Sequence, residues 1–112
     1  MFAVIYRRFV LPECEQEYQQ AWHKVALYFK EHGGAIGSCL HKTDKKNEWV
    51  AYSRWPDQET REACWIQEKG LPEDIKAVIQ KLKDCTDLTK PHEEICMNGI
   101  DDLLLKETLE KN

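Results

Sequence analysis

Three side chains in this sequence are of the types that proton transfer and oxyanion binding require. His41 lies near the end of a predicted strand, where an imidazole can act as a base or as a haem ligand; the simpler interpretation is a solvated histidine at a strand end. Arg7 and Arg54 each alternate with apolar neighbours, so either can point into a pocket and hold an anionic or phenolic oxygen. The alternative for both arginines is an ion pair at the surface or at an interface. Together the three residues predict a site that moves a proton and stabilises negative charge.

Two aromatic residues, Tyr52 and Trp22, are candidates for the lining of such a pocket, although aromatics at strand and helix spacing also serve as packing residues. No two histidines have a spacing typical of metal ligands, so we expect no metal site. The sequence contains no Gly-rich phosphate loop, no Gly-x-Ser-x-Gly elbow and no dinucleotide fingerprint. Half-buried positions, typical of small core residues rather than nucleophiles, are predicted for Cys39, Cys64, Cys85 and Cys96.

The composition indicates one acidic intracellular domain. The chain has 112 residues, enough for a single core without a second domain. Its formal charge of −4 and its scattered basic residues argue against nucleic-acid binding. The five cysteines lack a Cys-x-x-Cys pair, which favours reduced thiols. With no leader and no apolar run of membrane length, we expect a soluble cytoplasmic protein without a membrane partner.

Hydrophobic periodicity predicts the order of elements. Gly33-Gly34 ends the first helix, Asp57 can cap the second, and Pro72 suits the first turn of the third helical piece. This order of strand, helix, strand, strand, helix, strand predicts an α+β, ferredoxin-like βαββαβ sandwich. The predicted strands cover 2–10, 35–42, 48–55 and 94–100, and the predicted helices cover 13–32, the segment from 58 to Gly70, and 71–85.

The strand from Glu48 to Trp55 has large apolar side chains on both of its faces. Trp49 and Trp55 point one way, whereas Val50 and Tyr52 point the other. An antiparallel sheet covered by helices on one side should be polar on its open side, so this strand needs a second cover. In a chain this short, the expected second cover is another copy of itself, which makes the predicted assembly a homodimer.

The sequence resembles the antibiotic biosynthesis monooxygenase domain family, small dimeric α+β barrels. The resemblance covers nearly the whole chain and identifies the fold better than the reaction. It implies a homodimer formed by the open faces of two sheets, with one pocket per subunit between helices and sheet. The segments that carry it are the opening Phe-Ala-Val-Ile-Tyr-Arg strand, the Trp22 helix ending in His32-Gly33-Gly34, the stretches 37–42 and 51–56, and the helix with Trp65.

The resemblance also implies what chemistry to expect. Members of the family can use O2 without a metal or flavin, so we expect no cofactor. Trp65 falls where several members place a pocket tryptophan; the alternative is a core aromatic. Members that oxidise polyphenols or haem pair this tryptophan with an asparagine. In this sequence Arg7-Arg8 stands where the asparagine is expected, and Asn98 on the last strand is the candidate substitute. Residues 72–83 contain no histidine, which disfavours haem degradation.

We therefore expect residues 1–102 to form the domain and residues 103–112 to form a tail that can pack on the dimer partner. The first functional hypothesis is a cofactor-independent monooxygenase acting on a small aromatic quinol or phenol. The alternative is a non-catalytic dimeric binding domain for an apolar aromatic metabolite or haem. A third possibility is a haem-degrading enzyme that uses His41.

Overall fold

A computed structural model describes residues 1–66 and 70–104, with the side chains of 65 and 66 left out of the description. Four antiparallel strands form one sheet in the order β2-β3-β1-β4. The α+β, ferredoxin-like fold predicted from the sequence is confirmed. The elements are β1 (Phe2–Phe9), a 3-10 turn (Pro12–Cys14), α1 (Glu15–His32), β2 (Gly37–Lys42), β3 (Glu48–Trp55), α2 (Gln58–Ile66), α3 (Glu73–Asp84) and β4 (Glu93–Asn98).

Local signals in the sequence set the ends of the helices. Gly34 adopts a positive φ of 83°, the left-handed conformation that glycine tolerates best, and so ends α1. The amide of Ala35 still bonds to the carbonyl of Phe29 at 3.1 Å, which is why β2 begins at Gly37 rather than at Ala35 as predicted. Asp57 caps α2 as predicted, because its Oδ1 accepts from the Thr60 amide at 2.7 Å.

The even-numbered residues of β1 face the helices. Phe2 and Val4 are buried there, with exposures of 3% and 0%, in a cluster that α1 and α3 complete. Each large apolar side chain that is fully buried contributes about 1.5–3 kcal/mol, so this cluster is the main stabilising element of the domain. Its other buried members are Val25, Phe29, Ala35, Trp55, Ile75 and Ile79.

The odd-numbered residues of β1 face the opposite side of the sheet, which we call the odd face. Ile5 lies there between Tyr52 of β3 and Ile95 of β4, as the strand register shows. Arg7, two residues along, forms ion pairs with Glu48 at 2.9 Å and Glu93 at 2.7 Å. The odd face is therefore an apolar row next to a charged cluster.

Beyond β4, the described part of the chain ends at residue 104. Ile100, Leu103 and Leu104 are 94%, 72% and 65% exposed. Residues 105–112, most of the predicted tail, lie outside the described residues, so its packing on a partner stays a prediction. Within the described residues, none of the helices combines the length and apolarity that a membrane crossing requires.

Candidate functional site

A cavity of about 480 Å³ lies between the sheet and the helices α1 and α3. This volume is within the range of about 300–1,000 Å³ that holds small-molecule ligands. Aromatic side chains from both layers line it, namely Tyr6, Tyr18, Trp22, Phe29 and Trp55. The Trp55 indole donates to Ser53 Oγ at 3.1 Å, which fixes the orientation of its ring. The cavity thus has aromatic sides, with the Trp55 ring held in orientation, and is suited to a flat ring system.

Polar groups gather around Tyr6, on β1. The guanidinium carbons of Arg8 and Arg61 lie 5.7 and 5.8 Å from the centre of the Tyr6 ring. Arg61 Nη2 donates to the Tyr6 hydroxyl at 2.9 Å and pairs with Glu94 Oε2 at 3.2 Å. Arg61 Nε is buried without a hydrogen-bond partner among the described residues. This cluster of two cations, a phenol and a carboxylate can stabilise negative charge on a ligand and receive a proton from it.

Two contacts hold α2, the helix that carries Arg61, in place. At its start, the Asp57 carboxylate accepts from both the amide and the hydroxyl of Thr60, at 2.7 and 2.8 Å. Further along, Cys64 Sγ donates to the carbonyl of Gly33 at 2.8 Å and so ties α2 to the end of α1. Because Arg61 and Cys64 are three residues apart, they lie on the same side of α2.

The guanidinium of Arg61 stays charged. Burial acts to lower its pKa, but the hydrogen bond to the Tyr6 hydroxyl and the nearby Glu94 carboxylate outweigh burial, so the net shift of the pKa is upward. Burial also raises the pKa of Tyr18, which lines the same cavity, so its phenol stays neutral. At neutral pH the cluster therefore presents fixed positive charge beside a neutral Tyr18.

Of the side chains singled out in the sequence, Trp22 lines the cavity and three others lie elsewhere. Arg7, Tyr52 and Arg54 all project from the odd face. Arg7 is held by its two glutamates, and Arg54 pairs with Asp102 and contacts the sulfur of Met1. Both arginines thus form the ion pairs that were the alternative interpretation. The physical reason is strand parity, because these three residues alternate with the cavity-facing ones.

Of the remaining candidates, His41 and Asn98 do not line the cavity. His41 is exposed and lines a second groove between β2 and α1, which Trp22 and Trp49 also line. Asn98 is exposed at the end of β4, opposite Phe2. Trp65 belongs to α2, and its side chain lies outside the described residues. Among the residues that are described, no three His, Cys, Asp or Glu side chains cluster as a metal site would need.

The sequence did not single out Tyr6, Arg8, Arg61 or Glu94 as site residues. Tyr6 and Arg8 have the same parity on β1 as the buried Phe2 and Val4, a pattern that was available in the sequence. Arg61 lies one helical turn before Cys64, so the spacing along α2 could have predicted that both side chains face the same side of the helix. The sequence did not predict that β4 pairs with β1, and this pairing brings Glu94 beside Tyr6.

No protein-family model and no curated protein matches this sequence. Solved structures do match it. SnoaB, a cofactor-independent oxygenase from Streptomyces nogalater, has 15% sequence identity and a TM-score of 0.68, covering 92% of this chain and 97% of its own. A structure named antibiotic biosynthesis monooxygenase has 14% identity and a TM-score of 0.68, covering 90% of this chain and 100% of its own. Rv0793 from Mycobacterium tuberculosis has 14% identity and a TM-score of 0.66, covering 90% and 96%.

The chain has the fold of the antibiotic biosynthesis monooxygenase structures. The resemblance noted in the sequence is confirmed at the level of that α+β, ferredoxin-like fold. At these identities the likeness carries the fold alone, so the reaction has to be argued from the cavity.

Proposed function

We propose that the protein is a cofactor-independent monooxygenase that oxidises a small aromatic quinol or phenol in the cavity. The observation that carries this proposal is an aromatic-lined cavity of about 480 Å³ that contains the Tyr6–Arg61–Glu94 cluster. The fold supports it, because SnoaB, named a cofactor-independent oxygenase, has the same fold. Trp65 on α2 remains a predicted pocket residue.

The reaction needs no electron source other than the substrate. When a phenol becomes a quinone, one atom of O2 enters the ring, the other leaves as water, and the phenol supplies all four electrons. Without an enzyme the slow step is electron transfer to O2, because a neutral phenol is a poor electron donor and its electron-rich phenolate is a better one. In this proposal Glu94 accepts the phenolic proton, and the Arg61 guanidinium stabilises the phenolate, because both line the cavity beside Tyr6.

The test is O2 uptake with a panel of hydroquinones and naphthols, comparing the wild type with Glu94→Gln. Loss of the proton acceptor should lower kcat by about 10²–10⁴-fold. Glu93→Gln is the matched control, because Glu93 neighbours Glu94 but pairs with Arg7 on the odd face. Background rates for every substrate, or equal rates for the two variants and the wild type, would remove the proposal.

We also propose that the odd faces of two chains pack together as a homodimer. Ile5, Tyr52 and Ile95 form a row across that face, and Ile95 is 45% exposed. Burying this row against a second copy would remove apolar surface from water. Sedimentation at micromolar concentration should give a dimer for the wild type and a monomer for Ile95→Lys. A well-folded wild-type monomer would contradict the proposal.

A second candidate function is a non-catalytic domain that binds an apolar aromatic metabolite or haem. It is favoured by one observation: the described residues that line the cavity include neither histidine nor asparagine. Saturable binding of a naphthol without O2 uptake would favour this function over the oxygenase. For both functions we propose a cytoplasmic location, which suits five cysteines that are all free in the structure.

A further inference from the structure

We infer that the natural ligand of the cavity is an aromatic carboxylic acid, and that Arg8 is the residue that binds its carboxylate. The inference deepens the proposed function and rests on it, since it names the charge of the molecule that enters the same cavity. Arg8 is a binding residue here, distinct from the Glu94 and Arg61 pair assigned to the reacting oxygen.

The first observation is the charge of the lining. Among the described lining residues, three are basic (Arg8, Arg61 and Lys83) and one, Glu94, is acidic. The whole chain has the opposite balance, with a formal charge of −4. A cavity with excess positive charge inside an acidic protein favours an anionic ligand over a neutral one of the same shape.

The second observation is how these cations are paired. Arg61 has the Glu94 carboxylate at 3.2 Å, whereas neither Arg8 nor Lys83 forms an ion pair anywhere in the described part of the chain. Arg8 is half-buried on β1. A half-buried guanidinium without a counter-ion is a site where a ligand carboxylate gains a charge-assisted hydrogen bond.

The third observation is the geometry of the Arg8 guanidinium. Its Nη1 donates to the carbonyl oxygens of Arg7, at 3.0 Å, and of Glu93, at 2.7 Å. These two bonds fix the plane of the group and leave the edge formed by Nε and Nη2 without a partner among the described residues. Two parallel N–H donors on one edge match the two oxygens of a carboxylate. The bonds to Nη1 therefore preorganise the opposite edge for bidentate recognition.

The aromatic part of the ligand follows from the rest of the cavity. The rest of the lining includes aromatic rings such as Trp22, Phe29 and Trp55, within a volume of about 480 Å³. This space fits one or two fused rings, and the polar edge lies at the Tyr6 and Arg8 side. A fused aromatic acid satisfies both parts of the cavity, whereas an aliphatic acid leaves the rings without a stacking partner.

The experiment compares naphthalene-2-carboxylate with its neutral methyl ester, by calorimetry or by quenching of tryptophan fluorescence. In the wild type the acid should bind about tenfold or more tightly than the ester. In Arg8→Met this preference should vanish, whereas Arg7→Met, the same substitution on the neighbouring residue of the odd face, should retain it. Arg8→Lys, which keeps the charge but loses the bidentate edge, should give an intermediate preference.

Each outcome decides the inference. Equal binding of acid and ester by the wild type overturns it, even if Arg8→Met fails to fold, and so does an acid preference that survives in Arg8→Met. Absence of binding by either probe also overturns it. Turnover of neutral quinols without any acid preference refutes this inference and leaves the oxygenase standing. An Arg8-dependent acid preference without O2 uptake by hydroxylated aromatic acids supports the inference and refutes the oxygenase.

Discussion

The substitution Gly33→Ala tests whether the contact between α1 and α2 is as tight as the structure shows. Gly33 has a φ of −105°, which alanine adopts without strain, so the backbone permits the change. A Cβ there would lie 2.6 Å from Cys64 Sγ and 3.0 Å from the Phe29 carbonyl oxygen. Optimal contacts between such atoms are about 3.5–4.0 Å, so α2 has to move by about 1 Å. The alternative is rotation of the Cys64 side chain, which breaks its bond to the Gly33 carbonyl.

The expected cost follows from two opposing effects. Overpacking of this kind costs about 1–3 kcal/mol. Replacing glycine by alanine restricts the unfolded chain and stabilises the fold by about 0.4–1 kcal/mol. The variant should therefore lose about 1–2 kcal/mol, a sizeable part of the stability of about 5–15 kcal/mol that is typical of a domain.

A double-mutant cycle with Cys64→Ala separates the steric effect from other causes. The assay is urea unfolding followed by circular dichroism, at one protein concentration so that any association is held constant. Gly33→Ala should lower the midpoint by about 0.5–1 M urea. Cys64→Ala removes the sulfur that the new methyl group meets, so the double variant should be less destabilised than the sum of the two single variants. A Gly33→Ala protein as stable as the wild type, or single effects that add within about 0.5 kcal/mol, would refute the steric argument.

Three further predictions concern other parts of the fold. Burial and the neighbouring Cys14 thiol raise the pKa of Cys85 to about 11, so iodoacetamide at pH 8 should label the exposed Cys96 and leave Cys85 unlabelled in the native protein, as mass spectrometry can show. The Thr43 hydroxyl and then Arg7 hold the pKa of Glu48 below its ordinary value, so the stability that the charged carboxylate contributes is present at neutral pH and lost as pH falls through the lowered pKa; Tm should fall less steeply with acidification in Glu48→Gln than in the wild type. Asp57→Ala removes the acceptor for the Thr60 amide, so hydrogen exchange at the start of α2 should become faster while β1 is unaffected.

The sequence predicts most of the fold because its local signals agree with one another. The helical period of α1, the glycine pair at its end and the Asp57 cap of α2 each appear in the structure where the pattern indicates. The predicted and observed start of β2 differ because a helix-capping signal and a strand signal overlap in the same residues. The hydrogen bond from Ala35 back to Phe29 continues the helix cap into residues that also suit a strand.

The candidate site was less predictable from the sequence. Alternation of side chains along a strand separates the two faces of the sheet, but it does not indicate which face the helices cover. The alternation places Tyr52 and Trp55 on opposite faces of β3, as the structure has them, and Tyr52 and Arg54, which were candidates for the pocket, lie on the face away from the cavity. Arg61 and Glu94 come together only through tertiary contact between α2 and β4. Residue types alone do not encode such a contact.

The alternation of β1 has an evolutionary consequence. Because Tyr6 and Arg8 face the cavity while Ile5 and Arg7 face away, single substitutions can change ligand preference or self-association separately, and selection can act on each without disturbing the other. Insertion of one residue into this strand would exchange the two sets at once. Related genes should therefore vary at positions 5–8 of this strand more than in its length, while the buried Phe2 and Val4 stay apolar.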